Sequence, residues 1–236
     1  MEAKSKFDAP HAFILTSSQA KKLWDIFYSY NLIVYATVSC SDGMIRKFDS
    51  CENLMMFENS KRSEILSIEF SAKGNEPYMY SEISFGERYH LPISGYIHGE
   101  ESKVSELRTK ILDVIESTKA WYSWLSKFDL FYFWMPLFII SGIIFNLTNV
   151  TKSSSEALPL KAAILGLVIL VSIVGIISLL IWGTSFLKKR FFPISAFSIG
   201  QGESRVHHLE QIRWVVIVGF IVGVVSSIVT TLAMSA

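Results

Sequence analysis

Cysteine is scarce in this 236-residue chain: Cys40 and Cys51 are its only two. Two cannot build a disulfide framework, and no Cys-x-x-Cys pair or Cys/His ligand spacing occurs, so both are expected to be reduced, buried thiols. The catalytic signatures are missing as well. There is no Gly-x-Ser-x-Gly elbow, no Walker loop, no Gly-x-Gly-x-x-Gly and no His-Glu-x-x-His. Of the histidines, only the pair His207-His208 with Glu210 suggests a metal; neighbouring helical positions diverge by about 100°, which suits a solvated helix face better. No enzymatic activity and no cofactor are expected. A net charge of +1 without a clustered basic face argues against a nucleic-acid partner. The segment Met1 to Pro10 has no apolar core, so it is not read as a signal peptide.

Charge is also missing from particular places. Half of the residues are hydrophobic and 18% charged, with a mean hydropathy of +0.37. The charges gather before Leu130 and between Lys188 and Arg213. Three uncharged stretches are long enough to cross about 30 Å of hydrocarbon: Leu130–Leu147 (segment 129–148), Ala162–Thr184 (162–185) and Trp214–Met234 (214–235). The first carries Pro136, tolerable in a spanning helix where neighbours satisfy the freed carbonyl. The second-to-third link (186–213) holds Lys188, Lys189, Arg190, Arg205 and Arg213, whereas the first-to-second loop (149–161) holds Lys152, Lys161 and Glu156. The positive-inside rule therefore puts the N-terminal domain in the cytoplasm and the C-terminus outside, most simply in a bacterial inner membrane. Lys188, Lys189 and Arg190 read as topology determinants, with lipid head-group recognition the alternative. Trp124, Tyr132, Trp134, Trp182 and Trp214 then share one interface. The sequons at Asn146 and Asn149 lie too near the membrane to be expected acceptors.

Residues 1–128 read as an α+β domain. Thr16-Ser17-Ser18-Gln19 is a capping box before an apolar stripe of Ala20, Leu23, Trp24 and Phe27, and Asn31 ends that helix. Strands are expected at Leu32–Val38, Met44–Phe48, Ile65–Ser71, Tyr78–Phe85 and Ile93–His98. Turns fall at Ser41-Asp42-Gly43, Gly74-Asn75 and Gly86-Glu87, and Ser50 caps a short helix. The expected fold is an antiparallel sheet of about five strands with helices on one face.

Val104, Leu107, Ile111, Val114, Thr118, Trp121, Leu125 and Phe128 then recur at alternating spacings of three and four, a heptad seam. No breaker precedes Leu130, so this helix is expected to run into the first span as one rod or with a slight bend. The seam fits either the sheet of its own domain or the same helix of a neighbouring subunit. Gly219, Gly223 and Ser227 form a small-residue face on the third span, and Ser172, Gly175 and Ser178 a similar one on the second, suited to packing within or between subunits.

The link 186–213 reads as structured: an apolar strand-like piece, a Gly200-Gln201-Gly202 turn and a basic helix holding Leu209 and Ile212. It is expected to dock on the domain or lie at the membrane surface; a nucleotide-phosphate loop is the remote alternative. The pattern Phe-Pro, Phe197, Ile199-Gly200-Gln201-Gly202-Glu203, Arg205, Leu209, Arg213-Trp214 resembles one in uncharacterised bacterial membrane proteins. Those proteins join a cytoplasmic sensor-like domain to a few transmembrane helices, and some are phage-defence membrane effectors.

No ionisable residue lies within the three stretches, which disfavours proton coupling and voltage sensing. Three helices are few for a monomeric transporter. Two functions remain. One is a homo-oligomeric channel or pore-like effector gated by its cytoplasmic domain through the helix entering the first span. The other is a membrane-anchored scaffold or receptor subunit. Expected partners are the lipid bilayer, further copies of the chain, and a cytoplasmic protein or small-molecule signal.

Overall fold

The computed structural model describes residues 1–74, 78–88, 91–127, 135, 136, 139, 140, 142 and 160–235. Of the expected first span, Met135, Pro136, Ile139, Ile140 and Gly142 are described, all helical. The rest of that span, Asn146 and Asn149, Asn75, Phe128 and most of the loop 149–161 lie outside the described residues. The chain divides into two compact bodies, Met1–Ser123 with Pro193–Ala236, and Trp124–Phe192.

In the first body, alternation of apolar and polar residues builds an antiparallel six-stranded sheet. Its strands are β1 (Glu2–Ala9), β3 (Ile33–Cys40), β4 (Ile45–Phe48), β5 (Ile65–Gly74), β6 (Met79–Arg88) and β7 (Leu91–Glu100), in the order β1-β7-β6-β5-β3-β4. One face carries Phe7, Val34, Ala36, Val38, Ile68, Phe70, Ile83, Phe85, Ile93 and Ile97 into the core. Register puts Lys6, Tyr96, Glu82, Ser71 and Tyr35 in one row across the opposite face. There Tyr80 Oη donates to Glu82 Oε2 at 2.6 Å.

The core face is covered by α1 (Ser17–Ser29) and α3 (Glu101–Ser117), and by a second, parallel sheet of β2 (Phe13–Thr16) and β8 (Ser195–Ser198). The Phe13 ring stands edge-on to Phe85 and Phe197, with centroids 5.5 and 5.6 Å away. The capping box forms as expected: Thr16 Oγ1 accepts from Gln19 N, and Gln19 Oε1 accepts from Thr16 N. Ser50 caps the short helix α2 (Cys51–Met55) by accepting from Asn53 N. Cys40 is buried, Cys51 half-buried and both are free; burial pushes both thiols up.

Three expectations about the domain change. The sheet gains β1, in the segment that lacked any apolar core. Gly86, at φ +122°, sits within β6 at a register shift between Phe85 and Arg88 and does not make the turn. There a Cβ would meet Ser67 Cβ at 2.6 Å and Leu66 O at 2.7 Å. The rod from the seam helix into the first span is not formed: α3 ends at Ser117, and a separate α4 (Ser123–Lys127) follows.

That break has a physical cause. Ser117 Oγ donates to Val114 O and Thr118 Oγ1 to Ile115 O, side-chain bonds that compete for the carbonyls of the last turn. Beyond them β2 captures the chain: Ile14 N donates to Thr118 O, Ala120 N to Ala12 O and Ala12 N to Ser123 Oγ, each at 2.9 Å.

The second body contains α5 (Leu160–Phe191), whose backbone is helical throughout the expected second span. The C-terminal helix α6 (Gln201–Ser235) belongs to the first body. Among the described residues it is the one helix long and apolar enough to cross a membrane. Within Gln201–Ile228 an 18-residue stretch reaches a mean hydropathy of 1.9, and 6% of that stretch is buried.

Candidate functional site: the clasp at the base of the C-terminal helix

The link after α5 is an integral strand and helix base of the α+β domain. Parallel pairing sets Phe13 opposite Ser195 and Thr16 opposite Ser198. At the end of β8 the chain turns through Gly200, at φ +54°, into α6. Only glycine fits this turn, because a Cβ would collide with the carbonyl oxygens of Phe57 and Glu58. Gln201 N then donates to Glu58 O at 2.7 Å, Gly202 N to Ile199 O and Glu203 N to Gly200 O. With those amides occupied, the turn is not a phosphate-binding loop.

Asn59 closes the clasp. It is fully buried, and its backbone is left-handed at φ +48°, a conformation asparagine tolerates better than most residues. Its Nδ2 donates to Phe197 O at 3.2 Å and Ile199 O at 3.0 Å. Its Oδ1 accepts from Ile65 N and from Arg205 Nη2, both at 3.0 Å. All four hydrogen bonds available to the amide are made. Arg205 Nη1 adds a bond to Asn59 O at 2.8 Å, and its 3.7 Å approach to Glu64 is an exposed ion pair of small weight. One side chain thus joins the α2–β5 loop, β8 and the base of α6.

A second contact holds α6 about 12 Å further along, eight residues at 1.5 Å each. The Arg213 guanidinium lies 4.2 Å over the Tyr122 ring, and Trp214 stacks on Trp121 with centroids 5.8 Å apart. Burial raises the Tyr122 phenol, and the Arg213 charge opposes that rise.

The structure distributes the expected coupling residues differently from the seam that suggested them. Val104, Leu107, Ile111 and Val114 are 0–3% exposed in the domain core. Trp121 lies in the turn after α3, and Leu125 lies on α4, in the other body. The seam in α3 is therefore consumed by its own domain. Gly219, Gly223 and Ser227 sit on the exposed apolar half of α6, with nothing of their own body near a Cβ at either glycine. Lys188, Lys189 and Arg190 fall in the last turn of α5, where cations suit a helix C-terminus.

Asn59 and β2 were not found by reading the sequence. Gly200 and Gly202 stand out in the sequence as a turn, with a phosphate loop as the remote alternative, and not as part of a clasp. Asn59 carried only a faint signal, as a turn-forming residue in a polar stretch, because its partners Phe197, Ile199 and Arg205 lie 138 to 146 positions away.

No protein-family model matches the chain, and no curated protein or solved structure resembles it at a significant level.

Proposed function

We propose that the chain is a three-span integral membrane protein of a bacterial inner membrane, with its α+β domain in the cytoplasm. In this reading it is a homo-oligomeric channel or pore-like effector in which the domain drives the third span. The observation that carries the proposal is the uninterrupted α6, clasped to the domain at Gly200–Arg205 and exposed and apolar beyond Trp214. A stiff helix fixed at its base transmits tilt or rotation, which a jointed connection dissipates. The jointed connection is the one between α3 and α4.

Topology supports the reading. Ser123 and Ile194 are both hydrogen-bonded to residues 12–13 at the start of β2, so in this reading the segment between them begins and ends on the domain's side of the membrane and crosses an even number of times. Adding α6 gives an odd total and a C-terminus on the far side, in agreement with the positive-inside assignment. The small-residue face Gly219–Gly223–Ser227 offers a subunit contact around a permeation route. A membrane effector of this kind also agrees with the resemblance seen in the link.

The uncovered polar face of the sheet, rich in tyrosine, favours a second reading: a membrane-anchored scaffold or receptor subunit recruiting a cytoplasmic partner. Dye release from liposomes holding the purified full-length chain separates the two. The channel reading expects release that Asn59→Ala alters. Absence of conductance in planar bilayers under all conditions tried, with full activity of the domain on an unrelated membrane anchor, would establish the second reading instead.

A further inference from the structure

The end of α5 puts two kinds of side chain on one face. Trp182, Phe186, Lys189 and Arg190 follow at spacings of four, three and one, which keeps them within an arc of about 100° on a helix of about 3.6 residues per turn. The Trp182 and Phe186 rings stack, with centroids 5.9 Å apart and planes 18° from parallel. They are 70% and 59% exposed, and Lys189 and Arg190 are exposed one turn further on. Lys188, the third cation of the run, is half-buried on another side of the helix.

The charge of this face has one sign. No acidic residue occurs in α5, and neither Lys189 nor Arg190 is held in an ion pair among the described residues. The helix dipole and the orientation of the chain account for positive charge at this end. Neither calls for a stacked aromatic pair on the same face. In the three-span reading, on which this inference rests, depth follows from the helical rise. The uncharged stretch Ala162–Thr184 is about 34 Å long, a little more than the hydrocarbon core. Trp182, near its end, then lies at the boundary that indole rings prefer. Lys189 and Arg190 follow about 10 and 12 Å further along, and helical side chains lean back toward the N-terminus, here toward Phe186. Two cations thus stand in the layer of lipid phosphates, with two rings at the level of the first methylenes.

We infer that this face binds an anionic phospholipid, with its phosphate on Lys189 and Arg190 and its glycerol and first methylenes against Phe186 and Trp182. The cations supply the attraction to an anionic headgroup and the rings supply apolar contact at the boundary. A zwitterionic choline lipid brings a quaternary ammonium beside its phosphate, which the same two cations repel. The net charge of the headgroup is therefore what the face selects.

The test is native mass spectrometry of the full-length chain released from micelles that hold equal amounts of phosphatidylglycerol and phosphatidylcholine with the same acyl chains. Orientation is settled at insertion and has no meaning in a micelle, so a preference seen there owes nothing to topology. Phosphatidylglycerol is expected to be retained over phosphatidylcholine, and the double variant Lys189→Gln with Arg190→Gln to weaken that preference about tenfold. Lys21→Gln with Lys22→Gln on α1, the same loss of charge elsewhere, is expected to keep it, and excess inorganic phosphate not to displace the lipid. Unaltered urea midpoints show that the variants keep the fold. Equal retention of the two lipids, a preference unchanged in the Lys189→Gln and Arg190→Gln variant, or displacement by free phosphate overturns the inference. Amide exchange across Ala162–Thr184 in nanodiscs separates that failure from failure of the span. Fast exchange there refutes the span and the inference with it, whereas slow exchange without lipid preference refutes the inference alone.

Discussion

Replacing Asn59 by alanine removes the side chain that holds the α2–β5 loop, β8 and α6 together. Burial of the site sets the magnitude, since the partner groups are left away from bulk solvent. The Ile65 N–H loses its acceptor, at a cost of about 1–3 kcal/mol. The Phe197 and Ile199 carbonyls each lose a donor, worth about 0.5–1.5 kcal/mol apiece. Alanine at φ +48° adds about 1–2 kcal/mol of backbone strain. These contributions overlap, because a loop released at one bond relaxes at the others. The expected loss is about 3–5 kcal/mol of domain stability. Asn59→Gly separates the causes: it keeps the left-handed backbone and loses the bonds, so it should recover about 1–2 kcal/mol of the loss. Urea unfolding of the full chain in maltoside micelles, followed through the buried Trp24, measures both variants. Amide exchange at Ile65 and across Phe197–Glu203 reports the clasp directly. A shift below about 0.5 kcal/mol in Asn59→Ala, with protection at Ile65 unchanged, would refute the assignment of the clasp to this residue.

Two further outcomes follow from the same geometry. Gly202→Ala places a methyl against Phe197 O and the Asn59 amide, so it should destabilise the domain by about 2 kcal/mol or more, and Gly219→Ala, in open space, should leave urea midpoints unchanged. Tyr80 is pushed up to about 12, chiefly by its hydrogen bond to Glu82 and then by burial. The fold favours the neutral phenol, so this contribution is intact below the ordinary tyrosine value of 10.0 and is lost as pH climbs toward 12. Ultraviolet titration of phenolate absorbance should show a late step that Tyr80→Phe removes and Glu82→Gln moves to lower pH.

The parts of this fold legible in the sequence are those fixed by neighbours along the chain. Thr16 and Gln19 are three residues apart, and their capping box forms as it reads. The β3, β5 and β7 alternations bury the faces they advertise. The β1 strand was hidden because Glu2, Lys4, Lys6 and Asp8 occupy its open face, while its inner face offers small residues until Phe7. Its pairing is imposed by β7, where the Phe7 ring lies over Gly95. The false rod has the opposite origin. Spacings of three and four persist through Thr118, Trp121 and Leu125 although the helix does not, because Ala12 and β2, more than a hundred positions earlier, take the backbone groups of Thr118 and Ala120 and the Ser123 hydroxyl. Helical periodicity is blind to competition of that range.

β2 has a further consequence. It receives the segment 118–120 along one edge and β8 along the other, so the chain departs toward α4 and returns from α5 on two neighbours of one strand. At about 4.8 Å per strand spacing, these two roots lie about 10 Å apart. Phe13, at the centre, is fully buried against Phe85 and Phe197. A displacement of the sheet at Phe85 therefore reaches β2 through packed aromatic rings, and through β2 both roots of the inserted segment and the base of α6. On the proposed function, every connection between the domain and the membrane passes through this strand or its immediate neighbours. A signal that moves β6 thus has a short mechanical path to all of them, and the stiffest branch of that path is α6.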